Sequence, residues 1–110
     1  MLVEEILPSR LATTLAQGHP CGTILDLRSP EDFSGTHIPG ALNAPLGDFF
    51  MHLARLDIDS SYLLVSSDGE HAMSTCDLMQ RYGYLHVKRL TGGMQAWMAE
   101  GLPTEERRAA

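Results

Sequence analysis

The sequence predicts an α/β domain of three layers, a mainly parallel central sheet with helices on both faces, and three observations carry that prediction. Short apolar runs at Thr23 to Leu27, Tyr62 to Val65 and Val87 to Leu90 each have the length of a buried strand. The stretches between them show helical spacing, with proline, serine or glycine where helices start and stop. A chain of 110 residues with 44% hydrophobic content can bury one core and is too short for two. The expected unit is therefore one domain over 1–110, ordered over about 3–103, with a short charged C-terminal tail.

The elements follow in order. Pro8 opens a helix over about 8–17, with Leu11 and Leu15 one turn apart and Gly18 placed to end it. The run from Thr23 to Leu27 is a strand that stops at Arg28. Ser29-Pro30-Glu31-Asp32 then combines a capping hydroxyl, a proline at the first helical position and first-turn carboxylates, which starts a short helix. Pro39-Gly40 makes a turn, residues 41–43 a brief strand, and 46–56 a helical stretch with Phe49, Phe50, Leu53 and Leu56 at helical spacing. Tyr62-Leu63-Leu64-Val65 is the central strand. A polar loop, 66–71, leads to a helix over about 72–82 that Gly83 terminates. Val87 to Leu90 is the last strand, Gly92-Gly93 a turn, and 94–100 a final helix whose Trp97 belongs to the core. Strands alternating with helices in this way require right-handed crossovers.

Composition excludes several functions. Eight Lys and Arg against fourteen Asp and Glu give a formal charge of −6, which opposes nucleic acid or an anionic membrane surface as partner. The opening MLVEEILPSRL has neither the basic start nor the apolar run of a signal peptide, and no later run has membrane-spanning length, so a cytoplasmic protein is expected. Cys21 and Cys76 stand far apart and form no CxxC, and the five histidines show no ligand spacing. Neither a metal nor a cofactor is expected.

Two segments carry a resemblance. The first is Ile24-Leu25-Asp26-Leu27-Arg28-Ser29-Pro30-Glu31-Asp32-Phe33 with His37-Ile38-Pro39-Gly40-Ala41-Leu42-Asn43-Ala44-Pro45-Leu46. The second is Val87-Lys88-Arg89-Leu90-Thr91-Gly92-Gly93-Met94-Gln95-Ala96-Trp97 followed by Gly101-Leu102-Pro103. In content, order and spacing both resemble the rhodanese-like family of sulfurtransferase domains. The resemblance implies a cysteine at the end of the central strand, opening a loop whose backbone amides converge on its sulfur. Here Leu64-Val65 matches that strand, Gly69 the loop glycine and Cys76-Asp77-Leu78 the following helix. Ser66 then occupies the cysteine position, and His71 stands where an arginine is common.

Sulfur transfer needs a polarisable thiolate that takes up a sulfane sulfur as a persulfide and passes it on. A serine hydroxyl cannot carry sulfur in this way, and no neighbour in the sequence activates it. The candidate active-site loop is Ser66, Ser67, Asp68, Gly69, Glu70 and His71, with Ser66 at the floor of a shallow pocket ringed by the amides of 67–71. Its two carboxylates oppose an anionic sulfur donor. Asp26, Arg28 and the helix start at Ser29 are expected to form one supporting cluster, and His37 to fix the turn before Pro39-Gly40. Cys76 is expected in the core beside Met73 and Met79, and Cys21 in an exposed turn.

These residues point to a domain without sulfur-transfer activity that binds or regulates through loop 66–71, its partner a protein or a small anionic ligand. The alternative is a rhodanese-type sulfurtransferase, acting on thiosulfate or a persulfide, whose active-site cysteine has been exchanged for serine, or one that acts through Cys21. A phosphatase of related fold is disfavoured, because it too needs a cysteine and an arginine in the loop.

Overall fold

The computed structural model describes residues 2–107. Five strands, β1 (Glu4–Ile6), β2 (Thr23–Asp26), β3 (Leu42–Asn43), β4 (Tyr62–Val65) and β5 (Val87–Leu90), form one sheet in the order β1-β5-β4-β2-β3, and every pairing is parallel. The helices are α1 (Pro8–Ala16), α2 (Pro30–Gly35), α3 (Phe49–Leu53), α4 (Glu70–Arg81) and α5 (Gly93–Ala99), and a 3-10 turn at Leu46–Asp48 precedes α3.

Period-two alternation along the strands divides the core between two faces. Leu25, Tyr62, Leu64 and Val87 pack with Phe49 and Leu53 of α3 and Ala72, Cys76 and Met79 of α4. Ile24, Leu63, Val65 and Leu90 pack with Leu11 of α1, Phe33 of α2 and Met94 and Trp97 of α5. Neighbouring residues of β4 thus enter opposite cores, which explains why that strand is apolar at all four positions.

Several expectations need correction. The edge strand β1 was not expected, since two of its three residues are glutamates. It forms because Glu4 and Glu5 lie in register with Lys88 and Arg89 of β5, a cross-strand match of opposite charges. Helix α4 begins at Glu70 instead of 72, because Gly69 takes the left-handed conformation (φ 93°) and turns the chain directly into the helix. The stretch expected to be helical over 46–56 splits into the 3-10 turn and the short α3. Its Phe50 faces solvent, 62% exposed.

Order also continues past residue 103. Glu105 forms a two-way backbone bridge with His37 (3.0 and 2.9 Å), and the Arg107 amide donates to the Ser34 carbonyl at 3.0 Å. Trp97 Nε1 donates to the Pro103 carbonyl at 2.9 Å and anchors this C-terminal strap. The rest of the expected tail, 108–110, lies outside the described residues. Among the described residues no helix is long and apolar enough to cross a membrane.

Candidate functional site

Strand order reverses direction between β2 and β4, since the chain continues outward from β2 to β3 on one side and from β4 to β5 on the other. The carboxyl ends of these two strands are where parallel sheets gather ligand sites. Ser66 directly follows β4, and Asp26 ends β2 beside it, paired in register with Val65.

Ser66 is 2% exposed. Its Oγ accepts hydrogen bonds from the amides of Gly69 (3.0 Å) and Ala72 (3.2 Å). Gly69, the N-cap of α4, has no side chain to satisfy the helix's first amides, and the Ser66 hydroxyl takes that role from three residues upstream. The expected ring of amides from 67–71 is therefore drawn differently. Gly69 and Ala72 point at the oxygen, while the Glu70 amide donates to Asp68 Oδ1 at 2.9 Å. The turn at Gly92-Gly93 packs against the main chain of this loop, with the Met94 amide donating to the Ser66 carbonyl at 2.9 Å. Asp68, Glu70 and His71 are exposed on the outer rim.

Arg89 is the residue that sequence reasoning missed. Its guanidinium donates to the Gly69 carbonyl (3.1 Å) and to the Glu5 carboxylate (2.7 and 3.1 Å), with 13% of its side chain exposed. A cation thus lies against the loop backbone and is already paired. The available signal was a Lys-Arg pair inside an otherwise buried strand facing the Glu-Glu pair of residues 4–5.

Asp26 is 1% exposed and is held by Arg28 through its backbone amide (3.0 Å) and a forked guanidinium contact (Nε 3.0 Å, Nη2 2.9 Å). Arg28 Nη2 also donates to the Thr36 carbonyl, and Asn43 Nδ2 donates to the carbonyls of Asp26 and Arg28, both at 3.0 Å. This network ties the ends of β2, α2 and β3 together. Ser29 caps α2 separately, its Oγ accepting from the Asp32 amide at 3.2 Å, so the expected single cluster is two adjacent devices.

His37 is buried and stacked on Phe33, ring centroids 3.9 Å apart. A carbonyl can only accept, so His37 Nδ1–H donates to the Phe33 carbonyl at 2.7 Å, and Nε2 lies 3.3 Å from Glu105 Oε1. Both ring nitrogens are engaged within the turn and the strap, and neither meets loop 66–71.

Cys76 is fully buried, and burial pushes its thiol up to about 12, against a smaller opposing pull from Arg89. Met79 is buried in the same core, whereas Met73, expected beside it, is 41% exposed. Cys21 is half-buried against the other core, not freely exposed. It precedes β2, so Cys21 and Ser66 lie at opposite ends of the strands, roughly 15–20 Å apart at the rise of a parallel strand. Among the described residues no group of three or more His, Cys, Asp or Glu is placed to hold a metal ion.

The strand-loop-helix unit around Ser66, the Asp26–Arg28 device and the double-glycine turn all lie within a stretch that one family model matches. The rhodanese-like domain model matches residues 7–100. The chain belongs to the rhodanese-like domain family. It is 32% identical to thiosulfate sulfurtransferase 16 of Arabidopsis thaliana over 123 residues, covering 96% of this chain and 99% of that protein. It is 34% identical over 86 residues to an HTH-type transcriptional regulator of Mycobacterium tuberculosis, covering 76% of this chain and 38% of the regulator. The solution structure of a rhodanese-like domain from Anabaena sp. superposes with a TM-score of 0.85 at 29% identity, covering 99% of this chain and 86% of that one.

Proposed function

We propose that this rhodanese-like domain lacks thiosulfate sulfurtransferase activity and acts as a binding or regulatory module through loop 66–71. The observation that carries this reading is the state of Ser66. Its oxygen is buried and accepts two backbone amides, which makes it the cap of α4. With 2% of its surface exposed, Ser66 offers little to a sulfur donor, and neither hydrogen-bond partner of its hydroxyl is a base.

The other thiols do not supply the missing nucleophile. Cys76 is enclosed and held protonated by its burial, and Cys21 lies at the far end of the strands. Of the relatives, the Arabidopsis protein carries a sulfurtransferase name, and the mycobacterial regulator carries a similar domain as one part of a longer protein. The second architecture is the one that a module without its own chemistry suits. Thiocyanate formation from thiosulfate and cyanide, measured on the unmodified protein against a buffer blank, tests the proposal. Turnover above the blank overturns it.

A further inference from the structure

A groove of about 620 Å³ runs alongside the loop, between the segment leading into β1 and the outer face of α4. Leu2 (93% exposed), half-buried Val3 and Met73 (41% exposed) give this shallow groove its apolar lining, and Glu70, His71 and Asp77 its polar one. The two walls are tied at both ends. Gln80 Nε2 donates to the Leu2 carbonyl at 3.4 Å, and Arg89 joins Glu5 on β1 to the Gly69 carbonyl at the start of α4. These ties hold the two walls next to each other before any ligand arrives, which lowers the ordering cost of binding.

Its chemistry selects the occupant. Both acidic groups of the rim are accessible: Glu70 is exposed, and the Asp77 side chain is 41% exposed. Asp77 pairs with Arg81 one turn on (3.1 Å), but Arg81 is 74% exposed, and a surface pair of this kind contributes little. Arg89 is committed to Glu5 and Gly69. A second copy of this chain, at −6, meets an acidic rim with an acidic surface, and an anionic ligand meets the same repulsion. We propose that the groove docks a cationic, amphipathic segment of a partner protein, its apolar side chains on Leu2, Val3 and Met73 and its Lys or Arg on Glu70 and Asp77. This rests on the reading of the loop as a recognition surface, since Glu70 and His71 belong to both.

The probes are two acetylated, fluorescein-labelled nine-residue peptides, one alternating leucine with lysine and one alternating leucine with glutamate, titrated by anisotropy with the full chain at low salt. The lysine peptide should bind at least about tenfold more tightly than the glutamate peptide. Met73→Ser and Asp77→Lys, an exposed and a half-buried position outside loop 66–71, should each weaken it by about fivefold or more. Asp59→Asn, an exposed carboxylate before the opposite end of β4, should leave it unchanged within about twofold. Equal binding of the two peptides, insensitivity to either groove variant, or an equal loss in Asp59→Asn overturns the proposal. So does a dimer in sedimentation that Met73→Ser dissociates, because the occupant is then a second copy. Thiosulfate turnover by the unmodified chain would instead remove the non-catalytic reading of the loop, and the peptide titration would still report on the groove.

Discussion

Gly93 lies directly against the main-chain carbonyl of Ser66, in a left-handed conformation (φ 59°) that places its α-carbon where no side chain fits. The first amides of α5 use this approach: Met94 donates to the Ser66 carbonyl and Gln95 to the Ser67 carbonyl, each at 2.9 Å. The loop after β4 and the turn after β5 are therefore one packed unit. A Cβ at position 93 would meet the Ser66 carbonyl, the Gly69 amide and the Ser67 carbonyl carbon, all backbone that cannot swing aside. Gly93→Ala should cost about 3 kcal/mol or more in denaturant unfolding, combining steric overlap with an unfavourable φ. A loss under about 1 kcal/mol would show that the two segments are not rigidly packed.

Arg28→Ala should destabilise the fold by about 1–3 kcal/mol, because it leaves the 1% exposed Asp26 without its forked partner and frees the Thr36 carbonyl. Asn43→Ala, which removes two bonds to main-chain carbonyls but no charge, should cost less. Urea unfolding of the two variants checks the order. An unchanged midpoint for Arg28→Ala would mean that Asp26 finds water or another partner.

Cys76 sets an alkaline limit. Its folded-state pKa is raised by burial to about 12 from 9.0, so the unfolded chain loses this proton first. Its contribution to stability is fully present below about pH 9 and is lost as pH rises toward 12. Tyr62, also raised by burial, acts in the same direction from about pH 10 upward. Stability measured from pH 8.5 to 11 should fall, and Cys76→Ala should flatten the fall while lowering the plateau by about 1 kcal/mol for the small cavity it leaves. At pH 8 a thiol reagent should modify the half-buried Cys21 before Cys76, which reacts only on unfolding, and reaction of both at one rate in the folded protein would contradict the enclosed position of Cys76.

The sequence was most informative where local pattern and tertiary burial agree. Tyr62-Leu63-Leu64-Val65 reads as a central strand because both of its faces are in cores, and Ser29-Pro30 reads as a helix start because the cap is made by neighbours in sequence. Legibility ended where a partner distant in sequence decides the outcome. Strand β1 depends on charges more than eighty residues away, and the role of Arg89 depends on Glu5 and Gly69, both distant in sequence. The position of Ser66 at the end of β4 followed from strand and glycine spacing. The packing of its main chain did not, because Gly93 reaches it from across the fold.

Ser66 itself offers the last test, in which stability and chemistry separate. Ser66→Ala should cost about 1–2 kcal/mol, since the Gly69 and Ala72 amides lose their acceptor at a buried helix start. Ser66→Cys should introduce a thiol but give little sulfur transfer from thiosulfate, because the exposed Asp68 and Glu70 oppose both a thiolate and an anionic donor. Adding Asp68→Asn, Glu70→Gln and His71→Arg turns the loop's charge from acidic to basic and helps the thiolate form next to the amides that now hold the hydroxyl. The fourfold variant should exceed Ser66→Cys alone by at least about tenfold in thiocyanate formation, equivalent to about 1.4 kcal/mol of barrier. Full activity from Ser66→Cys alone would mean that the acidic rim is no obstacle and that the serine is the whole difference between this domain and a working sulfurtransferase. No activity from the fourfold variant would place the obstacle in the closed packing of Gly93 on the loop, which leaves a donor no path to the sulfur.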